Sequence, residues 1–177
     1  KTLFLATFLV GFFIQDSFSQ FFDTREELVY YTREWEGERF GDGRPMVPDD
    51  ILERMKKVSI EEAWGILRAR GYHNQFEGDW AILHEDQPMV GRALTALYMP
   101  RRPEPMDRLT EKGHQMGRVG AMNSWPIDAL QQGDVYVADG FGKVVDGTLI
   151  GDNLGNAIYT NSGKGVVFFG GSRDMEG

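Results

Sequence analysis

The segment that most constrains this chain runs from Gly133 to Asp174. It holds two apolar stretches, Val135-Tyr136-Val137-Ala138 and Val166-Val167-Phe168-Phe169, and between them Leu154, Ala157 and Ile158 mark one face of a helix that ends near Gly163 or Gly165. Short apolar runs bounded by turn residues read as strands, while apolar residues at helical spacing read as a helix. The order is strand, loop, helix, strand, which places the chain among α/β folds. Two polar clusters punctuate this unit. Gly151-Asp152-Asn153-Leu154 opens the helix, and twenty residues separate Asp152 from Arg173-Asp174, just past the second apolar stretch. Ligand sites in α/β folds collect at the carboxyl ends of strands, so the two clusters are candidates to share one pocket.

Each cluster has an ordinary reading beside the functional one. Asp174 offers a hard oxygen ligand for Mg²⁺ or Mn²⁺, and Arg173 a planar fork for a carboxylate. A salt-bridged turn needs the same two residues. Gly151 lets a ligand approach the backbone closely, and the amides of Asp152, Asn153 and Leu154 would be unpaired donors at a helix start, a carboxylate site without a cationic side chain. The same Gly-Asp-Asn run is also a common turn, with Asp152 or Asn153 as a simple cap.

Upstream, Thr24 with Glu27, and Ser59 with Glu62, stand at capping-box spacing, and Pro48-Asp49-Asp50 opens a further helical stretch. These predict short helices within Asp23 to Glu38, from Pro48 past Met55, and from Ser59 to Gly71, with Phe40 to Pro48 a linker. Trp80 to His84 and Met89 to Met99 read as a pair of strands around the polar turn Glu85-Asp86-Gln87-Pro88, the second able to bury both faces. Pro100 to Pro105 reads as a loop and Leu109 to Met116 as a helix. Asp134 and Asp139 read as turn residues, and Phe141 to Gly147 as a solvated loop in which Lys143 and Asp146 are secondary candidates for substrate contact.

Residues 1–19 read as a signal peptide: Lys1 is basic, Leu3 to Ile14 is apolar, and Ser17-Phe18-Ser19 has small residues at cleavage spacing. The apolar run is too short for a stable membrane anchor. The expected location is therefore periplasmic or secreted. Residues 20–57 then form a helical extension and linker, and 58–177 the front portion of an α/β domain that is expected to continue beyond Gly177. The absence of cysteine rules out disulfides and thiolate chemistry, and the scattered His73, His84 and His114 leave no zinc set. A net charge of −8 disfavours nucleic acid as a partner, and the basic residues Arg101, Arg102 and Arg108 stand among prolines and acids.

From Leu130 to Glu176 the chain resembles the family containing the regulator of ribonuclease activity A and the class II 4-hydroxy-4-methyl-2-oxoglutarate aldolases. The residues that carry the likeness are Gly133-Asp134-Val135-Tyr136-Val137-Ala138-Asp139-Gly140, then Gly151-Asp152-Asn153-Leu154, then Gly165 through Arg173-Asp174. A weaker likeness reaches back through Phe76-Glu77-Gly78 and Val90 to Ala96 as far as Val58. The resemblance implies a layered α/β/β swivelling-type domain. It implies Mg²⁺ or Mn²⁺ on Asp174, a small 2-oxo acid held by Arg173 and the Gly151–Leu154 turn, and proton transfer through Asp152. The implied reaction is cleavage of 4-hydroxy-4-methyl-2-oxoglutarate or decarboxylation of oxaloacetate through a pyruvate enolate. It also implies a homotrimer or hexamer, for which Tyr98-Met99 and Trp125-Pro126-Ile127 are boundary candidates as well as candidates for the core. A non-catalytic binding or regulatory protein on the same fold is the alternative. This sequence departs from the aldolases at Asn153, often apolar there, at Glu62, which replaces an Asp, and in its N-terminal extension. A methyltransferase assignment, once given to relatives, finds no glycine-rich nucleotide turn here.

Overall fold

The computed structural model describes residues 24–74, 77–145 and 149–174. The N-terminal stretch that reads as a signal peptide, Phe76 and Asp146 all lie outside these residues. The chain divides into two compact units between Met46 and Val47.

In the first unit, α1 (Arg25–Tyr31) starts at Thr24 with a complete capping box, as its sequence predicts. The helix is shorter than the charged stretch around it, because Thr32 bonds back to the Leu28 carbonyl and the chain turns. Arg39 then gathers the turn by donating to Thr32 Oγ1 at 2.7 Å and to the Gly43 carbonyl at 2.8 Å.

The second unit opens with α2 (Asp49–Met55) and α3 (Ile60–Ala69). Ser59 and Glu62 form the expected capping box on α3. Neither helix buries a residue. The sheet follows, with β1 (Arg92–Leu97), β2 (Asp134–Asp139) and β3 (Val166–Phe169) side by side in that order and parallel throughout. Between β1 and β2 lie α4 (Pro103–Gln115) and the short α5 (Trp125–Asp128), and α6 (Asp152–Ser162) joins β2 to β3.

Pleating decides which residues meet. Leu94 sits opposite Tyr136, which sits opposite Val166, and one pleat on, Ala96, Ala138 and Phe168 line up on the same face. Leu94, Tyr136 and Ala138 join Ile127, Leu130, Ile150 and Ile158 in the core. Tyr136, Ile127 and Ile158 are each only 1% exposed. The outer face of β1 carries the exposed Ala93, Thr95 and Leu97. Helix α6 closes at Gly163, whose left-handed backbone ends the helix while its amide bonds the Tyr159 carbonyl. Gln132 Nε2 takes up the Thr160 and Asn161 carbonyls, and Asn161 Nδ2 ties α6 to the Ile127 carbonyl at 2.9 Å.

Four expectations require correction. Trp80 to His84 is not a strand: it is irregular and exposed, and β1 has β2 as its parallel neighbour in place of an adjacent hairpin partner. Asp79, with φ at 58°, adopts a backbone that breaks an extended run there. The segment Met89 to Met99 is strand only from Arg92 to Leu97, and it buries one face rather than two. The Pro100 to Pro105 loop is cut short because Pro103 begins α4, a position where a missing amide costs nothing. That places Arg108 on a helix. Finally, Asp134 is more than a turn residue: it accepts from the Gln131 amide and is fully buried 3.7 Å from Arg92.

Candidate functional site

The site is built where the chain leaves β2 and β3. After β3, Gly170 and Gly171 pass close to the loop after β2, the Gly171 amide bonding the Lys143 carbonyl at 2.9 Å. Ser172 then forms a parallel bridge with Ile150, and the Arg173 amide donates to the Ile150 carbonyl at 3.2 Å. One short bridge thereby sets Gly151 against Arg173 and Asp174, across the twenty residues that separate Asp152 from Arg173 in sequence.

Gly151 is the N-cap of α6, with extended backbone and its carbonyl accepting from the Gly155 amide at 2.9 Å. A side chain there would lie 2.8 Å from Arg173 Nε and 2.8 Å from Asp174 Oδ2. The glycine therefore serves close approach, not a special backbone angle. Arg173 Nε stands 3.6 Å from Asp174 Oδ2, and both side chains face solvent at 68% and 55% exposure. Asp174 has φ at 59°, a left-handed conformation that asparagine and aspartate tolerate better than most residues.

Asp152 and Asn153 are exposed on the first turn, and Leu154 is half-buried against the core. Capping by Asp152 or Asn153 is not what the helix uses. Asp152 is its first residue, no side chain caps it, and the Asp152 carboxylate instead accepts from Asn156 Nδ2 at 2.8 Å. The first-turn amides have no acceptor within a helix, and the positive end of α6 favours an anion at Gly151. At the end of β2, Asp139 accepts from the Phe141 amide, a turn role, and in the loop beyond it Lys143 Nζ is turned onto the Val145 carbonyl.

The carboxylate chemistry of Asp174 is compatible with a hydrated hard cation. Asp174 presents a carboxylate that is 55% exposed, and Mg²⁺ needs only one or two carboxylates while keeping several waters. No group of three or more His, Cys, Asp or Glu converges among the described residues. An open cavity of about 360 Å³ lies elsewhere, lined by Trp64, Arg68, His73 and Asn74.

Residues 50–177 match the RraA-like family, described as Aldolase/RraA, over well more than half of the chain. The chain belongs to the RraA-like family. No curated protein and no solved structure matches it. The three-stranded parallel sheet and its helices are consistent with the swivelling α/β domain of RraA-like proteins. Among the described residues no helix is long and apolar enough to cross a membrane.

Local sequence patterns passed over several polar residues of this RraA-like domain. Arg92 and Asp134 are register partners at the starts of β1 and β2, and Arg92 also donates to the Val47 and Gln132 carbonyls and to Asp49. The Tyr98 and Tyr136 hydroxyls meet at 2.8 Å in the core. Burial raises the Tyr136 phenol far above the usual tyrosine range, and its bond to Tyr98 raises it further. Burial also raises Tyr98, against a smaller lowering from the same bond. Asn123 donates to the Leu149 carbonyl at 3.3 Å. The charge pair of Arg92 and Asp134 shows only once β1 is known to lie beside β2, and the other contacts have no local signal. Of the boundary candidates, Ile127 belongs to the core and Tyr98 packs against it, whereas Met99 is exposed.

Proposed function

We propose that this protein is a divalent-metal-dependent lyase that cleaves or decarboxylates a small 2-oxo acid, of the 4-hydroxy-4-methyl-2-oxoglutarate aldolase and oxaloacetate decarboxylase type. The observation that carries the reading is the convergence of the Gly151 turn with Arg173 and Asp174, within 2.8 Å of where a side chain on Gly151 would sit. Membership of the RraA-like family supports it.

In this mechanism the Arg173 guanidinium grips the substrate carboxylate through its planar fork, and the first-turn amides Asn153 and Leu154 complete the grip. Gly151 lets the substrate lie against the backbone. Asp174 would hold Mg²⁺ or Mn²⁺. When bound, the cation supplies Lewis-acid polarisation of the 2-oxo group and offsets charge that develops on that oxygen. Asp152, kept in place by Asn156, stands on the first turn to move a proton to or from the substrate through a water molecule. Breaking the C3–C4 bond leaves a pyruvate enolate: in the aldol case the C4 hydroxyl gives up its proton and departs as the carbonyl of a second pyruvate, in the decarboxylation the C4 carboxylate departs as carbon dioxide, and a proton delivered to C3 of the enolate then yields pyruvate.

The test is pyruvate release from 4-hydroxy-4-methyl-2-oxoglutarate or oxaloacetate with Mg²⁺ or Mn²⁺, abolished by EDTA. Asp174→Ala should remove metal dependence together with activity. Arg173→Ala should cost on the order of 10²- to 10³-fold in transition-state stabilisation, comparable with deleting one strong oxyanion contact. The exposure of Arg173 and Asp174 favours the alternative of a non-catalytic binding protein on the same fold. Metal binding without turnover across a panel of 2-oxo acids would favour that alternative.

A further inference from the structure

We infer that Asn123 is a positioning residue that holds the Gly151 turn in register with Arg173 and Asp174. This rests on the lyase reading for its catalytic consequence, although not for its structural one.

Leu149 enters the site segment, directly ahead of Ile150 and Gly151. Among the described residues, two things hold that entry besides packing. On one side the Ile150–Ser172 bridge and the Arg173 amide secure Ile150. On the other, Asn123 Nδ2 donates to the Leu149 carbonyl at 3.3 Å, across 26 residues of sequence. Asn123 is itself braced from the core. Its backbone carbonyl accepts from Tyr98 Oη at 3.4 Å, and Tyr98 Oη pairs with the buried Tyr136 Oη at 2.8 Å. Tyr136 stands in the middle of β2 at 1% exposure. A continuous polar path thus runs from the sheet through Tyr136, Tyr98 and Asn123 to the backbone that carries Gly151. Asn123 touches none of Gly151, Arg173 or Asp174 among its described hydrogen bonds, so its effect on the site passes through the Leu149 carbonyl.

The experiment compares amide hydrogen exchange in the full chain carrying Asn123→Ala or Asn123→Asp. The Asp variant keeps the volume and loses the donor, so it carries the same comparison should Asn123→Ala fail to fold. The reporters are the Arg173 amide, bonded to the Ile150 carbonyl, and the Gly155 amide, bonded to the Gly151 carbonyl. The controls are the Gly140 and Tyr136 amides, bonded to the Phe169 and Gly165 carbonyls. Exchange at the two reporters should quicken by about tenfold in both variants, with the controls unchanged, the signature of local rather than global opening. Pyruvate release should fall about ten- to a hundredfold in kcat/KM, since a misplaced turn weakens every contact it makes. If the unmutated protein releases no pyruvate, the lyase reading fails and the exchange comparison still decides the role of Asn123. Unchanged reporters, or reporters and controls quickening equally, would overturn it.

Discussion

At Gly151 the cost of a side chain falls on function rather than on stability. Its backbone is extended, which any residue adopts, and the atoms a methyl group would strike are the ends of two exposed side chains. Gly151→Ala should therefore move the thermal midpoint little, because Arg173 and Asp174 can swing away into water. The same swing dismantles the cradle, so activity with a 2-oxo acid and affinity for Mg²⁺ should both fall at least about tenfold, as expected when positioned groups lose their geometry. Thermal melts paired with metal titration check this. An Ala variant that kept metal affinity would show that the close approach is incidental. Gly113 presents the opposite case. It is buried, and a methyl group there would overlap the Trp125 ring, whose Nε1 bonds the Val119 carbonyl and would have to give up that position to make room. Gly113→Ala should destabilise by about 1–3 kcal/mol in urea unfolding, the usual penalty for overpacking.

Among the elements, α3 and α6 stand on different foundations. Helix α3 buries nothing and depends on its Ser59–Glu62 box and its own ladder. Ser59→Ala should cost that helix about 1 kcal/mol, and the loss should register as faster amide exchange within Ile60–Ala69, not as a lower global stability. Helix α6 is held by Ile158 in the core and by Gln132 and Asn161 bonding across to its neighbours. Ile158→Ala should cost about 2–5 kcal/mol by emptying the space beneath the sheet. Global unfolding by urea measures it. Since α6 carries the Gly151 turn at its head, the same substitution should also loosen the site.

For the whole molecule, the buried tyrosine pair makes stability depend on alkaline pH. Both phenols are raised in the folded state by burial. Their contribution is complete below the unfolded tyrosine value of about 10. As the pH climbs above that, the unfolded chain ionises while the folded chain resists, so stability falls. Urea midpoints measured from pH 8 to 11 should drop above about pH 10, and Tyr136→Phe should flatten the slope. On assembly, the family likeness leads us to expect a trimer or hexamer, and the exposed apolar Leu97, Met99 and Phe169 are available for burial. Light scattering on the purified protein decides it, a monodisperse monomer counting against the ring.

Local chemistry made much of this protein legible in its sequence. Both capping boxes, β2, β3 and α6 with its Gly163 stop follow from spacing and turn residues, because each depends on interactions within a few positions. The candidate site was legible as two motifs and a family likeness. What the chain could not reveal by itself is partnership. The apolar Trp80 to His84 has strand composition, yet β1 pairs with β2 across more than one intervening helix, leaving that run irregular and exposed. Asn123 bonds Leu149, and Tyr98 meets Tyr136, only because the parallel sheet brings distant segments to one place. Backbone preference is a property of neighbours in sequence. The closure of Gly151 onto Arg173 and Asp174 is a property of register, which is decided when the core around Tyr136, Ile127 and Ile158 packs.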